Sequence, residues 1–260
     1  MRIPDEEIQQ AISMFDEGLS ITKIAKILGR DRGCLSNRIK EAGVNITQHC
    51  NKKSVNSEFF NEWNEKSAYW LGFIFADGHL TPDGKLDICI KDKDHIEKFK
   101  KDIKSNHKVS TRTIKGSNYY RINIQDKIIA KRLNELGVTH NKTYGWNMPN
   151  IPDEYMPHFI RGLYDGDGNL NVRGSATAFR IVCYDKSILE LLMNHILDNV
   201  KNVKGHIRIY DYPNRIPELN ISSKKALESF LVWLYKDATT YLNRKYEKYL
   251  SYCRLEPRGQ

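Results

Sequence analysis

The chain lacks the features of membrane-spanning and disulfide-stabilised proteins. No apolar run approaches the roughly 20 residues that a bilayer-spanning helix needs, and the N-terminal sequence MRIPDEEIQQ has no apolar signal-peptide core. The five cysteines are an odd number and include no C-x-x-C pair, which disfavours both a disulfide framework and a structural zinc site. We therefore expect a soluble protein that stays in the cytoplasm, with reduced thiols and no membrane partner.

Positive charge is what the chain has in excess. Its 260 residues include 41 Lys and Arg against 32 Asp and Glu, so the net charge is +9 and the isoelectric point is about 9.2. Such an excess favours a polyanionic partner, and nucleic acid is the first candidate. A hydrophobic content of 40% is enough for a substantial core, divided into two or three compact units.

Residues 4 to 43 are predicted to form three short helices. Apolar residues recur at helical spacing, an acidic run after Pro4 suits a helix start, and glycines at 18 and 29 suit helix ends. The third helix would run from about 31 to 41. This order resembles the helix-turn-helix of resolvases, invertases and many repressors, so residues 1 to 44 are predicted to be a DNA-binding domain.

In this resemblance the third helix lies in the major groove of DNA. Arginine and asparagine, which suit guanine and adenine edges, are among its polar residues. The candidate DNA-contacting residues are Arg30, Arg32, Ser36, Asn37, Arg38 and Lys40. The alternative is a small three-helix unit whose charged residues only face solvent.

Residues 45 to 65 are predicted to be a basic linker. Hydrophobic periodicity is lost between about Asn45 and Ser57, where the sequence reads NITQHCNKKSVNS. This segment could lie along a minor groove through Lys52 and Lys53. A plain flexible tether is the alternative interpretation.

Two stretches of the chain share one design. YWLGFIFADGHL at 69 to 80 and FIRGLYDGDGNL at 159 to 170 each contain an apolar helical segment, small residues four apart, and then Asp-Gly. The motif aspartates, Asp77 and Asp167, are 90 residues apart, which indicates a tandem duplication behind the linker. Small residues at that spacing flatten one stripe of each helix, so the two helices are predicted to pack together with their aspartates side by side.

The two aspartates would lie at helix C-terminal ends, where the helix dipole is negative. Neighbouring carboxylates repel each other there, so a divalent cation is expected to compensate them. The glycine after each aspartate, Gly78 or Gly168, is predicted to leave the helix in a left-handed turn. DGDGNL imitates the start of a calcium loop, but Ala176 stands where such a loop needs glutamate, so that reading is excluded.

The repeated stretches resemble the motif of the LAGLIDADG homing endonucleases. The nine-residue motif corresponds to WLGFIFADG at 70 to 78 and IRGLYDGDG at 160 to 168, and the similarity covers about residues 66 to 253. The first copy departs from the family name at Trp70 and Phe75, positions that mainly pack.

The resemblance implies an α+β fold in which a tandem, pseudo-twofold αββαββα core forms a DNA-binding saddle behind the small three-helix domain. The first half would comprise residues 66 to 150 and the second half residues 151 to 260. Alternating apolar and polar residues in KLDICIK, YRINIQ, GHIRIY and ELNIS agree with half-buried antiparallel strands, and helical stretches lie between or after them.

The polar faces of the strands would form the basic saddle. Candidate base or phosphate contacts are Lys85, Arg112, Lys115, Arg121, Asn123, Gln125, Arg173, Arg180, His206, Arg208 and Asn220. Any one of these residues could instead belong to a strand face that only contacts solvent.

The resemblance also implies the catalytic and metal-binding residues. Asp77 and Asp167 would each serve one DNA strand and would bind metal together with the adjacent Gly78 and Gly168. Magnesium is the expected cofactor, and Mn²⁺ or Ca²⁺ could substitute for binding. Lys142 and Lys245 would also be catalytic residues, stabilising charge near the site, with Arg244 as the alternative to Lys245.

The predicted function is therefore a homing-type, magnesium-dependent DNA endonuclease. It would act as a monomer on a long double-stranded site that is weakly palindromic or asymmetric. Two alternatives keep the scaffold, a catalytically silent DNA-binding regulator and an intron RNA maturase, although the presence of both carboxylates disfavours a degenerate core. A transposase would not explain the internal repeat, and an intein is not expected from a chain that opens Met-Arg and closes EPRGQ.

Overall fold

The computed structural model describes residues 3–46, 53–140, 148–172 and 177–255. The chain divides into two compact units, Met1–Ser54 and Val55–Gln260. Residues 55 to 65, part of the predicted linker, belong to the second unit, where Phe60 is buried in the core. Within the described ranges, every helix is too short or too polar to span a bilayer.

The described residues of the first unit form three helices, α1 (Asp5–Asp16), α2 (Ile21–Ile27) and α3 (Arg32–Glu41). Ser20 and Asp31 cap α2 and α3, because each side chain accepts a hydrogen bond from a backbone N–H three residues later. Gly18 and Gly29, with φ of 93° and 62°, take the left-handed conformation after α1 and α2. The apolar faces of the helices form a separate small core, so the predicted three-helix unit is confirmed.

The second unit contains two halves with the same order of elements. The first half consists of α4 (Glu65–Asp77), β1 (Gly78–Leu80), β2 (Lys85–Ile90), α5 (Lys93–Asp102), β3 (Ser110–Ile114), β4 (Ser117–Gln125) and α6 (Lys127–Glu135). The second half consists of α7 (Met156–Asp167), β5 (Gly168–Asn171), β6 (Ala178–Val182), α8 (Lys186–Asn199), β7 (Ile207–Tyr210), β8 (Glu218–Ser222) and α9 (Lys224–Tyr235), followed by α10 (Asn243–Leu255). The predicted tandem αββαββα architecture is therefore confirmed.

Each half contributes one four-stranded antiparallel sheet. The strand orders are β1-β2-β4-β3 and β5-β6-β8-β7. Alternation buries residues such as Ile88 and Ile122 in the first sheet, and Phe179 and Ile221 in the second, while polar residues occupy the opposite, open face. The predicted strands correspond to β2, β4, β7 and β8. β1 and β5 have only three and four residues, too few to establish an alternating pattern in the sequence, and β3 is exposed at every position.

The two motif helices, α4 and α7, pack backbone against backbone. A Cβ atom added to Gly72 would lie 2.1 Å from the carbonyl oxygen of Phe159, and one added to Gly162 would lie 2.0 Å from that of Tyr69. Any larger residue at either glycine would therefore push the helices apart. This contact, called the helix seam below, confirms that the small residues of the two motifs face each other.

The prediction of a left-handed turn after each motif aspartate is wrong. Gly78 has φ −78° and ψ 154°, and Gly168 has φ −94° and ψ 167°, so both are extended. The reason is that each motif helix passes directly into a strand, β1 or β5. Glycine is needed there for space, because a Cβ on Gly78 would lie 2.7 Å from the carbonyl oxygen of Ile74, and one on Gly168 would lie 2.4 Å from the ring of Tyr164.

Candidate active site and nucleic-acid interface

The motif aspartates lie at the C-terminal ends of α4 and α7. Both are exposed, although most residues of these two helices are buried. At this end of the helix seam Gly166 packs on Ala76, and a Cβ on Gly166 would lie 3.5 Å from the carboxyl carbon of Asp77. Asp77 therefore lies against the residue that precedes Asp167, and the seam brings both carboxylates to one place.

A cavity of about 540 Å³ opens beside Asp77. Its lining combines Cys89 and Lys91 of the first half with Arg244 of the second. Arg244 lies 3.1 Å from Asp92 through its Nε atom, and 55% of its side chain is exposed. The Asp77 carboxylate and an accessible guanidinium thus line the same cavity.

Lys245 lies beneath the same end of the helix seam and is only 4% exposed. Its Nζ donates hydrogen bonds to the carbonyl oxygens of Tyr164 and, at 2.7 Å, Gly168, with a longer contact of 3.4 Å to Gly166. These carbonyls belong to the last turn of α7 and the start of β5, and that of Tyr164 also accepts a hydrogen bond from the Gly168 backbone N–H. The ammonium group therefore caps the second motif from inside the protein.

Burial lowers the pKa of Lys245 to about 8, against the opposing effects of the nearby carboxylates Asp165, Asp77 and Asp167. Arg244, the preceding residue, points to the accessible cavity instead. The two adjacent cations thus have different surroundings: Lys245 donates to backbone carbonyls, and Arg244 faces solvent.

Asp165 supports the site from behind and is fully buried. Its Oδ2 accepts hydrogen bonds from the Tyr69 hydroxyl and the Leu242 backbone N–H, both at 2.7 Å. Burial raises the pKa of Asp165 to about 6, although both donors act to lower it. His95 lies 3.0 Å from the Tyr69 hydroxyl, and burial lowers its pKa to about 3, so its ring is neutral. This network joins α4, α5, α7 and Leu242, the residue that precedes α10.

The donor set at the seam fits a hard divalent cation. In the described residues no group of three or more His, Cys, Asp or Glu side chains is arranged to hold a metal. Mg²⁺, however, is usually held by one or two carboxylates, with substrate phosphates and waters as the other ligands. Asp77 and Asp167 are exposed oxygen donors at one place, which meets that requirement.

The open faces of the two sheets carry most of the predicted saddle residues. Those on or beside these faces are Lys85, Arg112, Arg121, Asn123, Gln125, Arg180, His206, Arg208 and Asn220. Lys115 lies in the turn between β3 and β4, and Lys53 is exposed in the first unit. Lys52, Lys142 and Arg173 lie outside the described residues.

Two of the saddle arginines form ion pairs with carboxylates of a neighbouring strand, one of them through hydrogen bonds. Arg121 donates from Nε and Nη2 to the carboxylate of Asp87 at 2.7 and 2.6 Å. Arg180 lies 3.4 Å from Glu218. The alternating pattern places both acids on polar strand faces, but neither was predicted as part of the interface, because these pairs are diagonal and depend on the strand register.

The predicted contact residues of the first unit divide into two groups. Arg30 donates from Nε and Nη2 to Glu7 at 2.8 and 2.7 Å, and Arg38 donates to Asp5 and Glu41, both at 2.9 Å. Glu7 and Asp5 belong to α1, so both arginines are tied to that helix, whereas Glu41 lies in α3 together with Arg38. The others are the exposed Arg32, Asn37 and Lys40 and the half-buried Ser36.

Comparisons of sequence with known proteins find only partial relatives. No family model matches the chain. In Methanocaldococcus jannaschii, glutamine–fructose-6-phosphate aminotransferase is 25% identical over 169 residues and the replication factor C small subunit is 28% identical over 210 residues. These matches cover 62% and 70% of this chain but only 15% and 11% of the two proteins. The activities in their names are therefore not assigned to this chain.

Comparison of structures identifies the fold. I-SmaMI, in a structure bound to an uncleaved DNA target in the presence of calcium ions, superposes with a TM-score of 0.53 and 14% sequence identity. The match covers 75% of this chain and 90% of that one. Together with the two αββαββα halves and the helix seam, it shows that the chain has the fold of the LAGLIDADG homing endonucleases.

Proposed function

We propose that the protein is a site-specific double-strand DNA endonuclease of the homing type. The observation that carries this proposal is the pair of exposed carboxylates, Asp77 and Asp167, held at one end of the helix seam. A net charge of +9 and two open sheet faces with basic residues favour duplex DNA as the partner. The DNA-bound state of I-SmaMI, which shares the fold, supports the same substrate.

In this proposal each aspartate serves one strand, and one chain supplies both sites. Asp77 and Asp167 would hold Mg²⁺, which supplies Lewis-acid stabilisation of charge at the phosphorus and an activated water when bound. Mn²⁺ or Ca²⁺ would replace it for binding. Arg244 is accessible and would contact a phosphate near Asp77, whereas Lys245 is buried and would keep the end of α7 in position.

The proposal is tested with a plasmid that carries the genomic locus in which the gene is inserted, reconstituted without the insertion. We expect magnesium to permit conversion of supercoiled plasmid to a single linear product, and EDTA to abolish it. Calcium is expected to support binding to the same fragment in a mobility-shift assay. Binding without cleavage in any divalent metal would favour the silent regulator, and tighter binding to the intron RNA than to this DNA would favour the maturase.

Lys245→Met is expected to impair the second motif more than the first. The methionine removes a donor from buried carbonyl oxygens at the end of α7, which should lower the free energy of unfolding by about 1–3 kcal/mol. Cleavage of the strand served by Asp167 should slow more than cleavage of the other strand, so nicked plasmid should accumulate.

Arg254→Met, at an exposed position in the last turn of the same helix, is the control and should leave melting temperature and strand balance unchanged. End-labelling each DNA strand measures the two rates separately. Equal slowing of both strands by Lys245→Met would contradict a local role at α7.

In the first unit, Arg32→Ala and Arg38→Ala are expected to have different effects. Arg32 is exposed at the start of α3, so its loss should reduce the salt dependence of DNA binding by about one phosphate contact without changing stability. Arg38 is paired with Asp5 and Glu41, so its loss should mainly destabilise the three-helix unit. Binding titrations over a series of salt concentrations, with thermal melts of both variants, distinguish the effects. If Arg38→Ala reduced the salt dependence of binding without lowering stability, the ion pairs of Arg38 with Asp5 and Glu41 would have to open when DNA binds.

A further inference from the structure

The strand registers establish which residues of the two sheets are equivalent. Directly after the motif aspartates, Gly78 pairs with Ile88 on β2, and Gly168 pairs with Ile181 on β6. The same rows continue onto β4 and β8, at Ile122 and Leu219. These two rows therefore serve as a common reference for the two halves.

Relative to these reference rows, the acid and the arginine of an ion pair exchange strands between the two halves. Asp87 and Arg180 each precede the reference residue by one position, on β2 and β6. Arg121 and Glu218 each precede it by one position, on β4 and β8. The acid lies on β2 in the first sheet, whereas the arginine lies on the corresponding strand β6 in the second. One diagonal ion pair thus occurs twice with its charges exchanged.

In each pair the carboxylate is the more buried partner and the arginine the more exposed one. Both arginine side chains are 43% exposed, against 15% for Asp87 and 27% for Glu218. Arg121 uses Nε and one N–H of Nη2 for Asp87, so its Nη1 group and the second N–H of Nη2 are available to another acceptor. Because Arg121 is restrained in this way, it loses less side-chain entropy when it binds a second group, whereas Arg180 has only the 3.4 Å contact of its Nε with Glu218.

A guanine edge is the acceptor that this geometry suits. The O6 and N7 atoms of guanine in the major groove accept two parallel N–H donors from one guanidinium. Beside Arg180 the open face of the second sheet forms a concavity of about 440 Å³, lined also by Tyr210, Arg215 and Asn220, which offers room for a base edge. The opposite charge of the equivalent residue means that the two halves cannot read the same base at equivalent positions.

We propose that Arg121 and Arg180 each read one guanine, and that the exchanged charges place these guanines at non-equivalent distances from the centre of the target. This inference rests on the proposed binding of duplex DNA. It predicts that the target is asymmetric at the bases facing these residues. In a palindrome, equivalent positions of the two half-sites would present the same base to an arginine in one half and to a carboxylate in the other.

The test selects binding sites from a duplex library with a randomised central region. The full chain carries Asp77→Asn and Asp167→Asn so that bound DNA stays uncut, and enriched sequences are compared before and after Arg121→Lys or Arg180→Lys. Each lysine variant is expected to reduce the preference for guanine about tenfold, at one position in its own half-site. Lys131→Ala, an exposed charge on α6, is the control and should change no position.

A variant with exchanged charges gives a second test, in which the expected result is a new selected sequence rather than a loss of preference. Asp87→Arg combined with Arg121→Glu copies the arrangement of the second sheet onto the first and keeps the net charge. We expect this double variant to enrich sites whose two guanines lie at equal distances from the centre.

The outcomes separate this inference from the proposed function. If the parent protein enriches a sequence but neither lysine variant relaxes any guanine, the assignment of these arginines is wrong. If the parent guanines already lie at symmetric positions, the consequence drawn from the exchanged charges is wrong. If the library yields no preferred sequence at all, the proposed site-specific nuclease itself fails, and the inference fails with it.

Discussion

Asparagine at Asp77 or at Asp167 is expected to reduce double-strand cleavage by about 100-fold or more while leaving DNA binding largely intact. The neutral amide keeps the size of the carboxylate but loses affinity for a divalent cation. In the proposed mechanism each aspartate serves one strand, so a single variant should still nick DNA. The double variant should neither nick nor linearise it. Conversion of supercoiled plasmid to nicked and linear forms measures both steps.

Stability distinguishes this effect from a folding defect. Both side chains are exposed at a negative helix end, so removing one of two neighbouring charges should leave the melting temperature unchanged or slightly raised. Asp198→Asn, an exposed aspartate in the last turn of α8, is the matched control and should cleave like the unmodified protein. Complete linearisation by both single variants would overturn the assignment of the acidic pair.

Leucine in place of Gly162 is expected to lower the free energy of unfolding by about 3 kcal/mol or more. Even the first added carbon would lie 2.0 Å from the carbonyl oxygen of Tyr69 and 2.7 Å from the backbone nitrogen of Phe73. Backbone atoms at the centre of the helix seam cannot move aside as a flexible side chain can. The two motif helices must therefore separate, and the carboxylates at their ends should move with them.

A tryptophan-fluorescence melt follows this change, because Trp63, Trp70 and Trp233 all lie in the second unit. Gly162→Ala should show a smaller loss in the same direction. Asn194→Leu, which adds the same side chain to an exposed position of α8, is the control and should melt like the parent. A Gly162→Leu protein with normal activity and a melting temperature within about one degree of the parent would contradict direct packing of the motif helices.

The sequence by itself determined the duplicated architecture and the contact at its centre. Helical periodicity, capping and small residues four apart are local properties, and the constant offset of 90 residues between the motif aspartates places two such helices in equivalent positions. Strands with clean alternation, such as β2 and β4, were predictable for the same reason. β1 and β5 were not, because strands of three and four residues show too little pattern.

Tertiary structure decided what local patterns leave open. Gly78 and Gly168 are extended because strand pairing, rather than helix capping, sets the conformation after each motif. Arg244 and Lys245 are adjacent in sequence, and only the packing of α10 against the end of α7 determines that the lysine turns inward and the arginine outward. The exchanged ion pairs of the two sheets depend on register, which arises from contacts between strands far apart in the chain and is therefore absent from any single stretch of sequence.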